Sequence, residues 1–200
     1  MTDSEAVIRG SRGGKRERLV ASACELLHTK GVSTTTLADI AQAADVPVGN
    51  VYYYFKTKDD LVRAAIAAHT DQVEAMLASF ETLPQPAERL KALVRRWDQM
   101  REVIARYGCP FGILASELDR RDDGLDIEAA GPLRRILEWA ENQMECLDPR
   151  DARERATTLL AGVQGSALLA NALRDPGLMT SQVLHLERWI DTLAASAAPQ

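Results

Sequence analysis

The chain has 200 residues, of which 46% are hydrophobic and only 5% aromatic, and its net charge is −5. This length suits one compact core with a small appended module, and the abundance of good helix formers predicts an all-α protein. No stretch approaches the roughly 20 uninterrupted apolar residues of a membrane-spanning helix. The polar start also has no signal-peptide core, so we expect a cytoplasmic protein with no membrane partner.

Charge is unevenly distributed along the sequence. From Arg9 to Lys58 there are eight Lys or Arg residues and four Asp or Glu residues, which leaves about −9 for the remaining segments. A basic head on an acidic body attracts nucleic acid at one end only, although this excess is also unremarkable for fifty residues. The three cysteines are far apart and have no histidine cluster at metal-ligand spacing, so we expect no metal, cofactor or structural disulfide.

The first predicted elements are short helices. A helix over residues 15–30 follows a basic leader that we expect to be disordered. Thr36 and Asp39 have the spacing of a capping box that opens a helix over residues 37–44. An Asp-Val-Pro segment then interrupts the chain before another short helix, residues 48–54. Two short helices joined by a tight turn, behind a supporting helix, predict a helix-turn-helix.

The rest of the chain has the pattern of a larger helical body. Apolar residues at helical spacing, punctuated by Pro and Gly, predict about six more helices and no strands. Their approximate bounds are residues 57–81, 87–106, 110–120, 133–147, 150–173 and 180–195.

The segment from Thr36 to Leu61 resembles the signature of the TetR family of bacterial transcriptional regulators. It combines the capping box, the aromatic run from Val51 to Phe55 and the lysine-bearing cap of the next helix. The resemblance implies an N-terminal three-helix bundle with a DNA-binding helix-turn-helix in residues 1–57. A helical ligand-binding and dimerisation domain would follow in residues 58–200, with a homodimer formed through the last two helices.

The residue types of the helix-turn-helix suit contact with double-stranded DNA. A recognition helix presents its leading turn to base edges, and Asn50 can bond adenine while Val48 can touch a thymine methyl. Gly49 permits close approach to the DNA. The alternative for Tyr52 and Phe55 is that they pack the helix against the core of the head. The alternative for Arg9 and Arg12 is that they are simply solvated. Tyr54 stands where the family often has histidine. The predicted DNA-binding residues are Thr36, Pro47, Val48, Gly49, Asn50, Tyr52, Tyr53, Tyr54, Lys56, Lys58 and Arg12.

Large or polar residues on the core-facing stripes of the body helices are candidates for lining an effector cavity. For each apolar residue among them, the alternative is plain packing in the core. Buried amides are the more telling members, because they need partners. Mixed aromatic and amide linings suit a small, mostly apolar, planar molecule. The predicted ligand-binding residues are Trp97, Met100, Tyr107, Cys109, Phe111, Leu114, Trp139, Gln143, Gln164 and Asn171.

Cys109 lies in a Gly-Cys-Pro segment that places its thiol at a helix N-cap, with proline at the first helical position. A thiolate there is stabilised and can become reactive. The segment resembles one in a branch of the family that includes drug and electrophile sensors. The alternative is an inert small residue in a tight turn.

The resemblance implies a repressor whose dimer binds a palindromic operator and is released by a small effector. An enzyme is the first competing class, but none of the three histidines lies beside a plausible nucleophile in the sequence. A helical ligand-binding or scaffold protein with a vestigial head is the second. Activation in place of repression stays open, because it depends on where the operator lies.

Overall fold

The computed structural model describes residues 14–197, and this part of the chain contains eleven helices and no strand. The predicted all-α fold is therefore confirmed. The basic leader, with Arg9 and Arg12, lies outside the described residues. The helices are α1 (Lys15–Lys30), α2 (Leu37–Ala43), α3 (Val48–Tyr54), α4 (Lys58–Phe80), α5 (Pro86–Gln99), α6 (Arg101–Tyr107), α7 (Pro110–Leu118), α8 (Leu125–Ala129), α9 (Gly131–Leu147), α10 (Ala152–Leu173) and α11 (Gly177–Ala197).

The chain divides into two compact units, and the first ends at Ala65. It comprises α1, α2, α3 and the first two turns of α4, with α2 packed against both α1 and α3. The thiol of Cys24 on α1 donates to the Ala65 carbonyl at 3.7 Å. The core of this unit is formed by apolar side chains spaced at helical intervals: Leu19, Ala23, Leu27, Ile40, Ala41, Val46, Val51, Phe55, Leu61 and Val62.

A tight turn between α2 and α3 completes the helix-turn-helix. Asp45 adopts the left-handed conformation, with φ of 51°, which aspartate tolerates better than most residues. The next residue, Val46, is buried, and its N–H donates to the Ala41 carbonyl at 2.9 Å. The turn therefore ends α2, anchors the connection in the core and lets α3 begin two residues later.

The second unit starts at Ile66. In it α10 packs against α6, α9 and α11, while α5 packs against α9 and α11. Amphipathic helices bury their apolar stripes in this way, and the fully buried Leu90, Ile136 and Leu159 lie in the resulting core.

The second unit contains more helix breaks than the apolar pattern indicates. The predicted helix over residues 87–106 is two helices, because the Met100 N–H bonds to the Trp97 and Asp98 carbonyls and tightens the chain there. The short α8, which the pattern did not predict, begins after Gly124, whose φ is 87°. From α4 onward there are thus eight helices, where the sequence predicts about six.

Candidate nucleic-acid interface and body cavities

Helix α3 has one buried face and one exposed face. Val51 is fully buried, and Phe55, which follows the helix, is 4% exposed, so Phe55 is confirmed as a core residue. On the other side, Tyr52 is 50% exposed and Tyr53 is 78% exposed. Exposed aromatic rings are uncommon without a partner, and here two of them lie next to each other on a short helix.

The leading turn of α3 is also open. Pro47 occupies the N-cap position, and the N–H of Asn50 bonds to its carbonyl at 2.8 Å. Val48 is 44% exposed, and apart from Gly49, its chain neighbours and the nearby backbone of α3, no atom lies within 4 Å of where a Gly49 side chain would start. A surface can therefore approach the backbone of this turn closely, with Val48 and the half-buried Asn50 beside it.

The lysines after α3 use their ammonium groups differently. Lys56 is exposed, and its Nζ donates to the Tyr52 carbonyl at 2.8 Å, along the same helix end. Lys58 is half-buried, and its Nζ donates to the carbonyl of Val32. Tyr54 is half-buried and meets Tyr53 edge-on at a centroid distance of 5.0 Å. Of these two lysines, Lys56 therefore has the more accessible positive charge.

Two capping boxes fix the helices on either side. Thr36 Oγ1 accepts from the Asp39 N–H at 3.1 Å, and the Asp39 carboxylate accepts from the Thr36 N–H at 2.8 Å, which confirms the predicted cap. Thr57 and Asp60 make the same reciprocal pair at the start of α4. Hydrogen bonds from the two threonines lower the pKa of both carboxyl groups below the ordinary value.

The second unit contains a cavity of about 130 Å³. Four of the predicted ligand-binding residues line it: Trp97, Met100, Cys109 and Phe111. The other lining residues are His69, Gln72, Val73, Met76, Arg96 and Pro110. His69 is buried, with its Nδ1 3.3 Å from Gln72 Oε1 and its ring edge-on to Phe111 at 5.5 Å.

The contribution of α4 to this cavity was not predicted from the sequence. His69, Val73 and Met76 recur at the helical spacing i, i+4, i+7, with Gln72 beside them. A buried-face histidine in such a stripe was the available signal.

Cys109 lies at the N-cap of α7 with Pro110 at the first helical position, as predicted. Its side chain is 5% exposed, and Gln164 Nε2 donates to its sulfur at 3.6 Å. Gln164, Asn171 and Cys109 also line a second cavity of about 160 Å³. Cys109 is thus shared by the two cavities. Asn171 is held by its own bond to the Ala105 carbonyl at 3.3 Å.

The remaining predicted ligand-binding residues lie in neither of these two cavities. Trp139 Nε1 and Gln143 Nε2 both donate to Glu81 Oε1, at 2.7 and 3.1 Å. Arg89 pairs with Glu81 at 2.8 Å and donates to Gln143 Oε1 at 3.2 Å. The partner that the buried amide needed is therefore a protein carboxylate. Leu114 is buried in α7, and Tyr107 is half-buried with the Arg106 guanidinium over its ring.

A helix-turn-helix with an exposed leading turn, joined to a helical unit with an internal cavity, defines a DNA-binding transcription regulator. Residues 19–65 match the family model described as bacterial regulatory proteins, tetR family. The first unit therefore carries the DNA-binding domain of the TetR family, whose members are regulators and not enzymes.

Relatives and solved structures of the family match the chain along most of its length. It is 26% identical over 195 residues to the HTH-type transcriptional regulator LmrA of Bacillus subtilis, covering 92% of this chain and 98% of LmrA. It is 28% identical to an uncharacterized HTH-type transcriptional regulator of Mycobacterium tuberculosis, covering 81% and 87% of the two chains. The structure of a TetR regulatory protein from Rhodobacter sphaeroides superposes with a TM-score of 0.75 at 25% identity, over 87% and 97% of the two chains.

Proposed function

We propose that this protein is a cytoplasmic, ligand-responsive repressor whose homodimer binds a palindromic operator and leaves it when a small, mostly apolar effector enters the cavity of the second unit. The single observation that carries the proposal is the open outer face of α3, where Val48, Tyr52 and Tyr53 are exposed beside Asn50. On that face Asn50 and Val48 read base edges, while the tyrosine hydroxyls and Lys56 contact phosphates.

The dimer is supported by apolar side chains that the second unit leaves exposed. Leu168, Leu169 and Leu173 on α10 and Leu184 on α11 are 53–68% exposed. By length and composition alone α10 could also cross a membrane, and only 33% of its apolar window is buried within the protein, so most of this apolar surface lacks cover in a single copy. A second copy of α10 and α11 would cover these leucines. Two-fold symmetry would then give two recognition helices reading equivalent half-sites.

Helix α4 can transmit a change at the cavity to the DNA-binding unit. Its later turns line the cavity through His69, Gln72, Val73 and Met76, and its first two turns belong to the first unit. An effector that fits better when α4 has moved shifts the population toward the arrangement that does not bind DNA. A coupling free energy of about 1–3 kcal/mol would lower operator affinity five- to about 150-fold.

The proposal is tested by fluorescence anisotropy with the DNA that flanks the gene of this protein and a scrambled duplex, at several salt concentrations. We expect a Kd on the order of 10⁻⁸ M or lower for the flanking DNA and a preference of at least about 1,000-fold over the scrambled duplex. Asn50→Ala should cost about 1–3 kcal/mol of that preference. Asn142→Ala, an equal change on the exposed side of α9, is the matched control and should leave binding unchanged.

The outcome that contradicts the proposal is weak, equal binding of both duplexes by a protein freed of any co-purified ligand by refolding. Loss of affinity in the Asn142 variant as large as in the Asn50 variant would show that α3 does not read the DNA.

A further inference from the structure

The lining of the 130 Å³ cavity carries positive charge and no negative charge. Of its ten lining residues, Arg96 alone carries a permanent charge, and none is Asp or Glu. Arg96 and Gln72 are exposed while Trp97, Val73 and Cys109 are buried. Arg96 and Gln72 therefore lie at the rim of the cavity, whereas the apolar groups and the buried His69 lie deeper.

Arg96 differs from the neighbouring cations of α5 in having no carboxylate partner. Lys91 pairs with Glu88 and Asp191, and Arg95 pairs with Glu187. Within residues 14–197, the contact recorded for the Arg96 guanidinium is a hydrogen bond to Gln99 Oε1 at 3.4 Å, and no ion pair includes it. Its charge is therefore available to a ligand at the cavity rim.

The size and chemistry of the interior restrict what a ligand can be. A volume of about 130 Å³ is close to that of cavities, about 150 Å³, that hold one benzene ring. Met76, Met100, Trp97 and Phe111 offer polarisable and aromatic surfaces to such a ring. These side chains would also attract a cation, but the unpaired guanidinium repels one.

We propose that this cavity binds a compact organic acid, with a ring-sized apolar body inside and its carboxylate on the Arg96 guanidinium. The planar guanidinium can donate two parallel hydrogen bonds to a carboxylate. The inference rests on the proposed function only in taking the cavity as the effector site, and it narrows the effector from a mostly apolar molecule to an apolar anion.

The test measures binding of four acids (benzoate, phenylacetate, cyclohexanecarboxylate and hexanoate) and their neutral amides to the full-length protein by calorimetry at pH 7.5. We expect at least one acid to bind at least about tenfold more tightly than its amide, as suits a charge-assisted bond at a partly exposed site. Arg96→Gln should abolish that preference. Arg95→Gln removes an equal charge one residue away, outside the cavity lining, and should preserve it.

Phe111→Ala should weaken the acid and the amide by the same factor, because it removes only apolar surface. The proposal is overturned if no acid binds below about 10 mM, if amides or benzylamine bind as tightly as the acids, or if the Arg96 and Arg95 variants behave alike. Operator release is recorded separately: an acid that binds through Arg96 yet leaves the operator occupied supports the ligand class and refutes the effector mechanism.

Discussion

Lys56 and Lys58 are two residues apart, yet their side chains have different partners. Lys56 is exposed at the end of α3, whereas the half-buried ammonium of Lys58 donates to the Val32 carbonyl. We predict that Lys56→Gln weakens binding to operator and scrambled DNA alike and reduces the slope of log affinity against log salt by about 1.

Lys58→Gln is the comparison variant. It should lower the free energy of unfolding by about 1 kcal/mol, because it removes a bond to a backbone carbonyl, and it should change the salt slope less than Lys56→Gln. Denaturant unfolding and anisotropy separate the two effects, and equal slopes would show that both lysines contact phosphates.

Burial raises the pKa of the Cys24 thiol to about 11, from an ordinary value of 9.0. Because the folded protein then holds this proton more tightly than the unfolded chain, the associated stability is present below pH 9 and is lost as pH rises toward 11. We predict that the free energy of unfolding falls more steeply between pH 9 and 11 in the parent protein than in Cys24→Ala. Parallel curves would mean that Cys24 is not desolvated.

Cys109 and Cys146 differ in exposure, since Cys146 is exposed and Cys109 is 5% exposed. If Cys109 is an electrophile sensor, a small alkylating reagent should modify it at pH 7 faster than it modifies Cys24, and modification should weaken operator binding. Peptide mass mapping over time makes the comparison, with Cys146→Ala used to remove the exposed site. Labelling of Cys109 only on the timescale of unfolding would assign it to the structural alternative.

At the scale of elements, the turn between α2 and α3 depends on the left-handed conformation of Asp45. Glycine adopts this conformation at no steric cost, whereas a β-branched residue does so with strain. We predict that Asp45→Gly is at least as stable as the parent and that Asp45→Val is about 2 kcal/mol less stable than Asp45→Gly.

Both variants at position 45 lose the exposed ion pair with Arg18, at 3.8 Å, so this loss cancels in the comparison. Asp119→Val, at an exposed right-handed position after α7, should stay within about 0.5 kcal/mol of the parent. Thermal unfolding measures all three, and equal stability of the Gly and Val variants at position 45 would argue against the strain.

Local chemistry made the first unit predictable from sequence. The Thr36 cap, the break before Pro47 and the bounds of α3 follow from rules that act over a few residues. Part of the cavity lining was predictable, because Trp97 and Phe111 lie on apolar stripes of their helices. Their convergence with His69 of α4 was not predictable, because it depends on tertiary packing. Gln143 shows the limit most clearly: its need for a partner was evident, but the carboxylate of Glu81 is distant in sequence.

At the scale of the whole molecule, the exposed leucines of α10 and α11 lead to a prediction about assembly. If the proposed dimer forms through these helices, Leu168→Glu should convert it to a monomer and lower operator affinity at least tenfold, because a charge would be buried in the interface. Light scattering coupled to size exclusion gives the mass, and anisotropy gives the affinity.

The control for assembly is Ile127→Glu, which places the same charge on α8 at a residue with similar exposure, 60% against 68% for Leu168. It should remain dimeric and bind the operator normally. A Leu168 variant that stays dimeric would place the interface elsewhere.

The continuity of α4 has a consequence for engineering. Because the unit boundary after Ala65 falls inside the 23-residue helix α4, a junction for exchanging DNA-binding domains at this boundary must be made within a helix. A chimera joined at Thr57 would separate the first unit from its own Leu61 and Ala65, which are buried. A junction beyond Ala65 must also preserve helical phase, since one inserted residue turns everything after it by about 100°, whereas seven restore the phase to within about 20°. Seven-residue insertions should therefore be tolerated better than shorter ones of one or two residues.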